Sequence, residues 1–221
     1  MLDKTLHNFL NTTDEQGIEF VIASNKELLN QAYKIRYKSY SQRNVTNEKQ
    51  DERFQDEFDE QANATNFLAL YKDEVIGSIR TVISRNNIEN LPCNASFSDV
   101  LSQPRFSQSA ILEVGRFCIL EEYQRELGMN SFLPFYRITG WVSYVNNVDF
   151  VVAALANHHR YLYEKLLQFE CLSDVRSYPG VTVKGVLMCT EWRQFMENML
   201  NNQPDLFNFF FKDNIGLKCI I

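Results

Sequence analysis

The chain has 221 residues, 45% hydrophobic and 23% charged, a length and balance that suit one domain with one substantial core. A net charge of −6 leaves no basic surplus to neutralise phosphates, so binding to nucleic acid is not expected. Five cysteines without a CxxC pair or metal spacing, no run of membrane-spanning length and no apolar signal segment at the start lead to an expectation of a cytoplasmic protein with no metal and no transmembrane segment.

Ile18 to Ala23 reads as a first strand. Ser24 is placed as the cap of a helix from about Asn25 to Ser41, with Leu28, Leu29, Ala32, Ile35 and Tyr40 near helical spacing. Arg36 shares a face with Tyr33 and Tyr40, either as an exposed cation or as part of a site. Gln42 to Thr65 is strongly polar, with Asp56 and Asp59 interleaved by Phe54 and Phe58, and reads either as a solvated loop or helix face or as a mobile acidic loop over a cleft. Asn66 to Tyr71 and Glu74 to Ser84 form a hairpin about Lys72-Asp73. Alternation puts Ile76, Ser78, Arg80 and Val82 on one face, so Arg80 either meets a carboxylate or reaches the sheet rim.

Asn86 to Ser109 is an excursion with a short helix at Phe97 to Leu101. Ile111 to Leu120 is an apolar strand that carries Glu113 and Arg116, and both charges need partners or a cleft. Gln124 to Asn130 reads as a turn opening a helix from Ser131 to Asn146, whose N-terminus suits a phosphate. Val148 to Ala156 is an interior strand. Asn157 caps a helix to Glu170 that carries Tyr163, and Arg176 to Met188 is a turn and a final strand. Beyond Thr190, Trp192, Phe195, Met196 and Leu200 have helical spacing, Pro204 interrupts, and Phe207 and Phe209 to Phe211 form an aromatic cluster. The chain thus divides into a domain of residues 1–190 and a helical, aromatic-rich tail, 191–221, packed on it.

Glu113-Val114-Gly115-Arg116-Phe117 resembles the Glu-x-Ser-Arg-Phe signature of acyl-homoserine-lactone synthases and N-acyl amino acid synthases, with Gly115 in place of serine. Arg125-x-x-Gly128-x-Asn130 resembles the pyrophosphate loop of GNAT-type acetyltransferases, with Asn130 where a smaller residue is usual. Arg36 with Tyr40, Asp56-x-x-Asp59 and the Gly77–Arg80 strand resemble, in order, the segments that begin the synthase site. The Asn157–Phe169 segment and the Tyr178-Pro179 turn resemble the later segments, with Gln168 in place of glycine.

The resemblance implies an α+β, GNAT-like N-acyltransferase fold. Its three α/β/α layers would enclose a mixed, mostly antiparallel sheet of six or seven strands. Strands Ile111–Leu120 and Val148–Ala156 would run parallel and splay to admit a pantetheine arm. A bulge within Glu113–Phe117 would bring Glu113 and Arg116 to one face, with Gly115 taking the unusual conformation.

It also implies a bacterial, quorum-sensing-type enzyme that moves a long-chain acyl group from acyl-carrier protein to an amino acid's amine. The donor would be acyl-phosphopantetheine, with no tightly bound cofactor. Glu113 would be the base, with His158 and His159 as alternatives; Arg36, Tyr40, Asp56, Asp59, Arg80 and Arg116 would bind the acceptor, with an internal pairing of Arg116 to Glu113 or Asp59 as an equal alternative; Arg125, Gly128, Asn130 and Tyr163 would bind the donor. Arg125, Arg137, Arg160 and Lys165 would attract the acidic carrier. A lactone synthase using S-adenosylmethionine is a rival reading, opposed by tryptophan occurring only at Trp141 and Trp192. An inactive ligand- or protein-binding module is another.

Overall fold

A computed structural model describes residues 17–211 and 217–218. The strands are β1 (Ile18–Ile22), β2 (Ala64–Tyr71), β3 (Glu74–Arg85), β4 (Ala110–Ile119), β5 (Phe150–Ala156), β6 (Glu170–Cys171), β7 (Gly185–Glu191) and β8 (Leu217–Lys218). They form one sheet in the order β6-β7-β5-β4-β3-β2-β1-β8. The pairs β4–β5 and β1–β8 are parallel and the others antiparallel. The sheet is mixed and mostly antiparallel, as expected, but has eight strands among the described residues. The additions are two-residue edge strands, too short to leave a pattern in the sequence.

Helices cover both faces. On one lie α4 (Leu133–Val145) and α6 (Trp192–Asn202), whose Phe135, Ile138, Trp192 and Phe195 pack on Ile79, Leu112, Val114 and Val151. On the other lie α1 (Lys26–Gln42), packed through Ala32, Tyr33 and Ile35, and α2 (Asn94–Leu101), packed through Phe97 and Leu101. The remaining helices are α3 (Glu121–Leu127), α5 (Arg160–Leu166) and α7 (Pro204–Phe211). No helix among the described residues is long and apolar enough to cross a membrane.

Local chemistry accounts for where the elements depart from expectation. Asn25, not Ser24, caps α1, because its extended backbone aims Oδ1 at the Leu28 N–H, 2.9 Å away. The segment read as a turn, Gln124–Asn130, is mostly the helix α3; Gly128, at φ 58°, ends it, and a 3-10 turn leads into α4. A bulge in the β2–β3 register carries Ile76 to the α4 face, away from Ser78, Arg80 and Val82. Helix α5 stops at Leu166, and Gln168 adopts a left-handed φ of 55° just beyond it. That is the position where glycine relieves strain, and the residue that stands for glycine in the related segment.

Two features of β4 shape the molecule's centre. Its parallel pairing to β5 covers only Ile111–Val114 against Phe150–Ala153, so the strands separate beyond that point. On its other edge, Ser78 pairs with Cys118 and Arg80 with Gly115, so Arg116 and Phe117 together oppose Ile79. This is the bulge expected within Glu113–Phe117, where two charges three residues apart share one cleft. Arg116 itself, not Gly115, takes the left-handed conformation, with φ 53°.

Beside the bulge, β3 and β4 approach so closely that a Cβ on Gly77 would lie 2.3 Å from the Cys118 carbonyl oxygen. Backbone cannot retreat there without disturbing the register. Gly77→Ala is therefore expected to cost about 1–3 kcal/mol and to lower the melting temperature by about 5 °C, as a thermal unfolding curve would show.

Candidate active site

The separation of β4 from β5 opens a cavity of about 530 Å³ that reaches both faces of the sheet. One end is polar, walled by Tyr40, Arg80, Glu113, Arg116 and Tyr178. The other is apolar, walled by Phe117, Phe132, Tyr136, Leu162 and Tyr163. The bulge produces this division: Glu113 and Arg116 turn toward α1 and α2, while the Phe117 ring packs on Phe135 of α4, centroids 4.5 Å apart. Val45 and Val181 form part of a roof, tied together by the Thr182 N–H donating to the Val45 carbonyl at 2.8 Å.

The Glu113 side chain is almost wholly buried. Its Oε2 accepts the Cys93 backbone N–H at 2.8 Å, and its Oε1 lies 3.4 Å from the Tyr178 hydroxyl. Burial pushes the carboxyl up from its usual range, against the Cys93 hydrogen bonds and the charges of Arg80 and Arg116. A carboxylate that accepts a proton more readily than usual thus faces a cavity. Burial also pushes the Tyr178 hydroxyl far up, helped by the Glu113 charge, and raises Tyr40 to about 12. Both phenols stay neutral and able to donate.

Behind Glu113 lies a buried ion network. Arg36 Nη1 donates to Asp59 Oδ1 at 2.7 Å, and its other nitrogens donate to Ser78 Oγ and Asn66 Oδ1. Arg80 grips Asp56 with two hydrogen bonds, 2.5 and 3.1 Å long, and lies 2.9 Å from Asp59 Oδ1. Arg116 donates to Asp56 Oδ2, with its guanidinium 4.6 Å from the centre of the Phe54 ring. Burial alone would raise the Asp56 carboxyl, but the hydrogen bonds and charges of Arg80 and Arg116 hold it well below the usual range. Three guanidinium groups face two carboxylates. The Nε atoms of Arg80 and Arg116 are buried without a hydrogen-bond partner.

The sequence-predicted residues separate into groups. Tyr40, Arg80, Glu113, Arg116 and Tyr163 line the cavity, and His158 and His159 stand at its exposed rim. Arg36 is fully buried, does not line the cavity, and acts with Asp56 and Asp59 on the other arginines. Asp56 and Asp59 of the acidic segment are therefore packed behind the site, while Arg43 and Val45 at the start of that segment line the cavity. Arg116 meets Asp56, not Glu113 or Asp59. Arg125 is exposed and ion-paired to Glu121, Gly128 caps α3, and neither lines the cavity; the Asn130 side chain lies outside the described residues.

None of the four cations expected around the mouth, Arg125, Arg137, Arg160 and Lys165, lines the cavity. Arg160 pairs with Glu164 on α5 and Arg137 is buried; Arg43 does line it. Sequence reasoning missed Tyr178, although its Tyr-Pro turn was visible, and Tyr136. It had no signal for Cys93, whose contribution is a backbone N–H. No cluster of three or more metal-ligating side chains occurs among the described residues.

The model of the family N-acyl amino acid synthase FeeM matches residues 31–191. A comparison with curated protein sequences finds no match. Among solved structures, FeeM, an N-acyl amino acid synthase from uncultured soil microbes, is 16% identical with a TM-score of 0.69, over 84% of this chain and 97% of its own. The CoA-dependent acyl-homoserine lactone synthase BjaI is 15% identical with a TM-score of 0.62, over 92% and 94%. A putative N-acetyltransferase from Lactobacillus plantarum is 10% identical with a TM-score of 0.53, over 80% and 99%. The fold is GNAT-like.

Two outcomes follow from the network. Asp59→Ala leaves Arg36 buried without its carboxylate, a loss of about 3–5 kcal/mol, so the melting temperature should fall by about 10 °C. Asp56 has a depressed folded pKa, so its contribution is complete above the unfolded value of about 3.9 and fades as pH falls through the folded value. Asp56→Asn should thus destabilise the protein near neutrality and lose that penalty in strong acid, as denaturant titrations across pH would show.

Proposed function

The chain belongs to the N-acyl amino acid synthase FeeM family and is an N-acyltransferase, and on that premise we propose that it transfers a long-chain acyl group from acyl-carrier protein to the amine of an amino acid. The observation that carries the reading is Glu113, a buried carboxyl with a raised pKa at the point where β4 leaves β5. A thioester is already activated, so no protein nucleophile is needed. What is needed is an oriented amine, a proton acceptor and donors for the developing oxyanion.

In this reading the pantetheine arm enters between β4 and β5 and presents the thioester carbonyl beside Glu113. The acceptor amine attacks the carbonyl carbon. Glu113 takes an amine proton, directly or through one water, and returns it to the departing sulfur as the amide forms. Backbone N–H groups along the unpaired part of β4 stabilise the tetrahedral oxyanion.

The acceptor's carboxylate settles against Arg80 and Arg116. Their unpartnered Nε atoms and the network's surplus of one guanidinium support an anion there. That anion also raises the Glu113 carboxyl further, since like charges oppose its ionisation. The acyl chain runs toward the apolar end, under α4. Tyr163 contacts this chain rather than the pantetheine.

The direct assay supplies acyl-carrier protein or coenzyme A thioesters with a mixture of amino acids and identifies products by mass spectrometry. An N-acyl amino acid supports the proposal. An N-acyl lactone formed only with S-adenosylmethionine, or no transfer with any donor, contradicts it. Equal rates with both donors, insensitive to salt, would contradict the carrier protein as the preferred donor.

Glu113→Gln keeps an acceptor for the Cys93 N–H but removes the base, so kcat/KM should fall by about 10²- to 10⁴-fold. Stability should not fall with it. A raised folded pKa means that Glu113 favours the fold only when protonated; this benefit is complete in acid and lost as pH rises through the folded pKa. At neutral pH the glutamine variant should therefore melt no earlier than the parent. The parent's rate should rise with pH along a limb centred above the ordinary glutamate value of about 4.3.

A further inference from the structure

The apolar end of the cavity is walled in part by Tyr136 of α4 and Tyr163 of α5, whose rings meet edge to face at 6.0 Å between centroids. Behind them is a second, almost wholly apolar cavity of about 30 Å³, walled by Gly140, Leu167, Phe169, Trp192 and Phe195. The two cavities share Val114, Ala153 and the two tyrosines as their common wall. Val114 and Ala153 belong to the paired part of the sheet and are fixed by it. The tyrosine side chains are therefore the part of the wall that a substitution can open.

The two hydroxyls are buried beside each other. Burial pushes the Tyr163 hydroxyl up to about 12 and the Tyr136 hydroxyl well above its ordinary value, so both phenols stay neutral across the working pH range. Tyr136 is held on its other side by the Phe117 ring at 6.1 Å, and Tyr163 by Phe169 at 5.4 Å. Two bulky side chains, held by their mutual ring contact and by one further ring contact each, make a stiff wall across an apolar passage.

We propose that Tyr136 and Tyr163 act as a chain-length stop: the far end of the acyl chain abuts this pair, and the recess behind it is closed to the chains the enzyme prefers. The inference rests on the acyl-transfer reading for the identity of the ligand, but its geometry does not require turnover. Removing one ring would join the recess to the cavity and admit a longer straight chain. Removing only a hydroxyl would leave the wall in place.

The test uses S-alkyl-pantetheine thioethers, which cannot transfer their chain, lengthened two carbons at a time and measured by calorimetry on the full chain. For the parent protein, affinity should rise about tenfold per two carbons until the chain meets the wall and then drop. Tyr163→Leu should move that break to longer chains, Tyr163→Phe should leave it in place, and adding Gly140→Leu to Tyr163→Leu, which fills the recess, should move it back. If Tyr163→Leu does not fold, as judged by circular dichroism, Tyr136→Leu makes the same opening. An unmoved break in an opened, folded variant overturns the proposal, as does parent affinity that shows no break. A break that moves as described in a protein that acylates no amine would uphold the stop and sink the acyl-transfer reading.

Discussion

The arrangement depends on one interruption in a strand. Strand β4 is held on both sides through Val114, then loses β5 and gains an extra residue against β3. Had pairing continued, β4 would be filled on both edges, and Glu113 and Arg116 would face opposite sides of the sheet. The interruption does two things at once. It leaves a gap wide enough for a substrate, and it turns both charges to the same side of it.

A bulge that places an arginine in the left-handed region costs about 1–2 kcal/mol and needs support from its surroundings. Asp56 and the Phe54 ring supply that support by fixing the Arg116 guanidinium. Asp56 also binds Arg80, which touches Asp59, which binds Arg36 on α1. Buried ion pairs of this kind add little net stability, because desolvation offsets their attraction. Their effect is positional. They fix α1, the acidic segment, β3 and the bulge in one arrangement and leave the base, Glu113, bound by a backbone N–H instead of by an arginine. That separation matters, since an arginine directly on Glu113 would favour the ionised form and weaken it as a proton acceptor.

Much of the fold was legible because its signals are local. The hairpin about Lys72-Asp73, the periodicity of α1 and the apolar run of β5 each show in a few neighbouring residues. The charges within β4 marked the site for the same reason: Glu113 and Arg116 are improbable in a buried strand without a cleft. The rest depends on register or on distant partners. Alternation alone put Ile76 beside Arg80, and only the β2–β3 bulge separates them. The acidic segment reads as solvated because most of its charges are exposed, and the arginines that pair with Asp56 and Asp59, which are not exposed, are on other elements. Helix α3 was hidden by its polarity, and Tyr178 comes to Glu113 from 65 residues away. The Cys93 N–H has no side-chain signature at all.

The central claim is that the interrupted strand turns Glu113 into a base, and the most direct measurement is its own titration. The carboxyl carbon of Glu113 can be followed by nuclear magnetic resonance in labelled protein, assigned by its disappearance in Glu113→Gln. The account predicts a midpoint above the ordinary glutamate value of about 4.3, rising further when an amino acid's carboxylate is added. A midpoint at or below that value, unmoved by the amino acid, would contradict it.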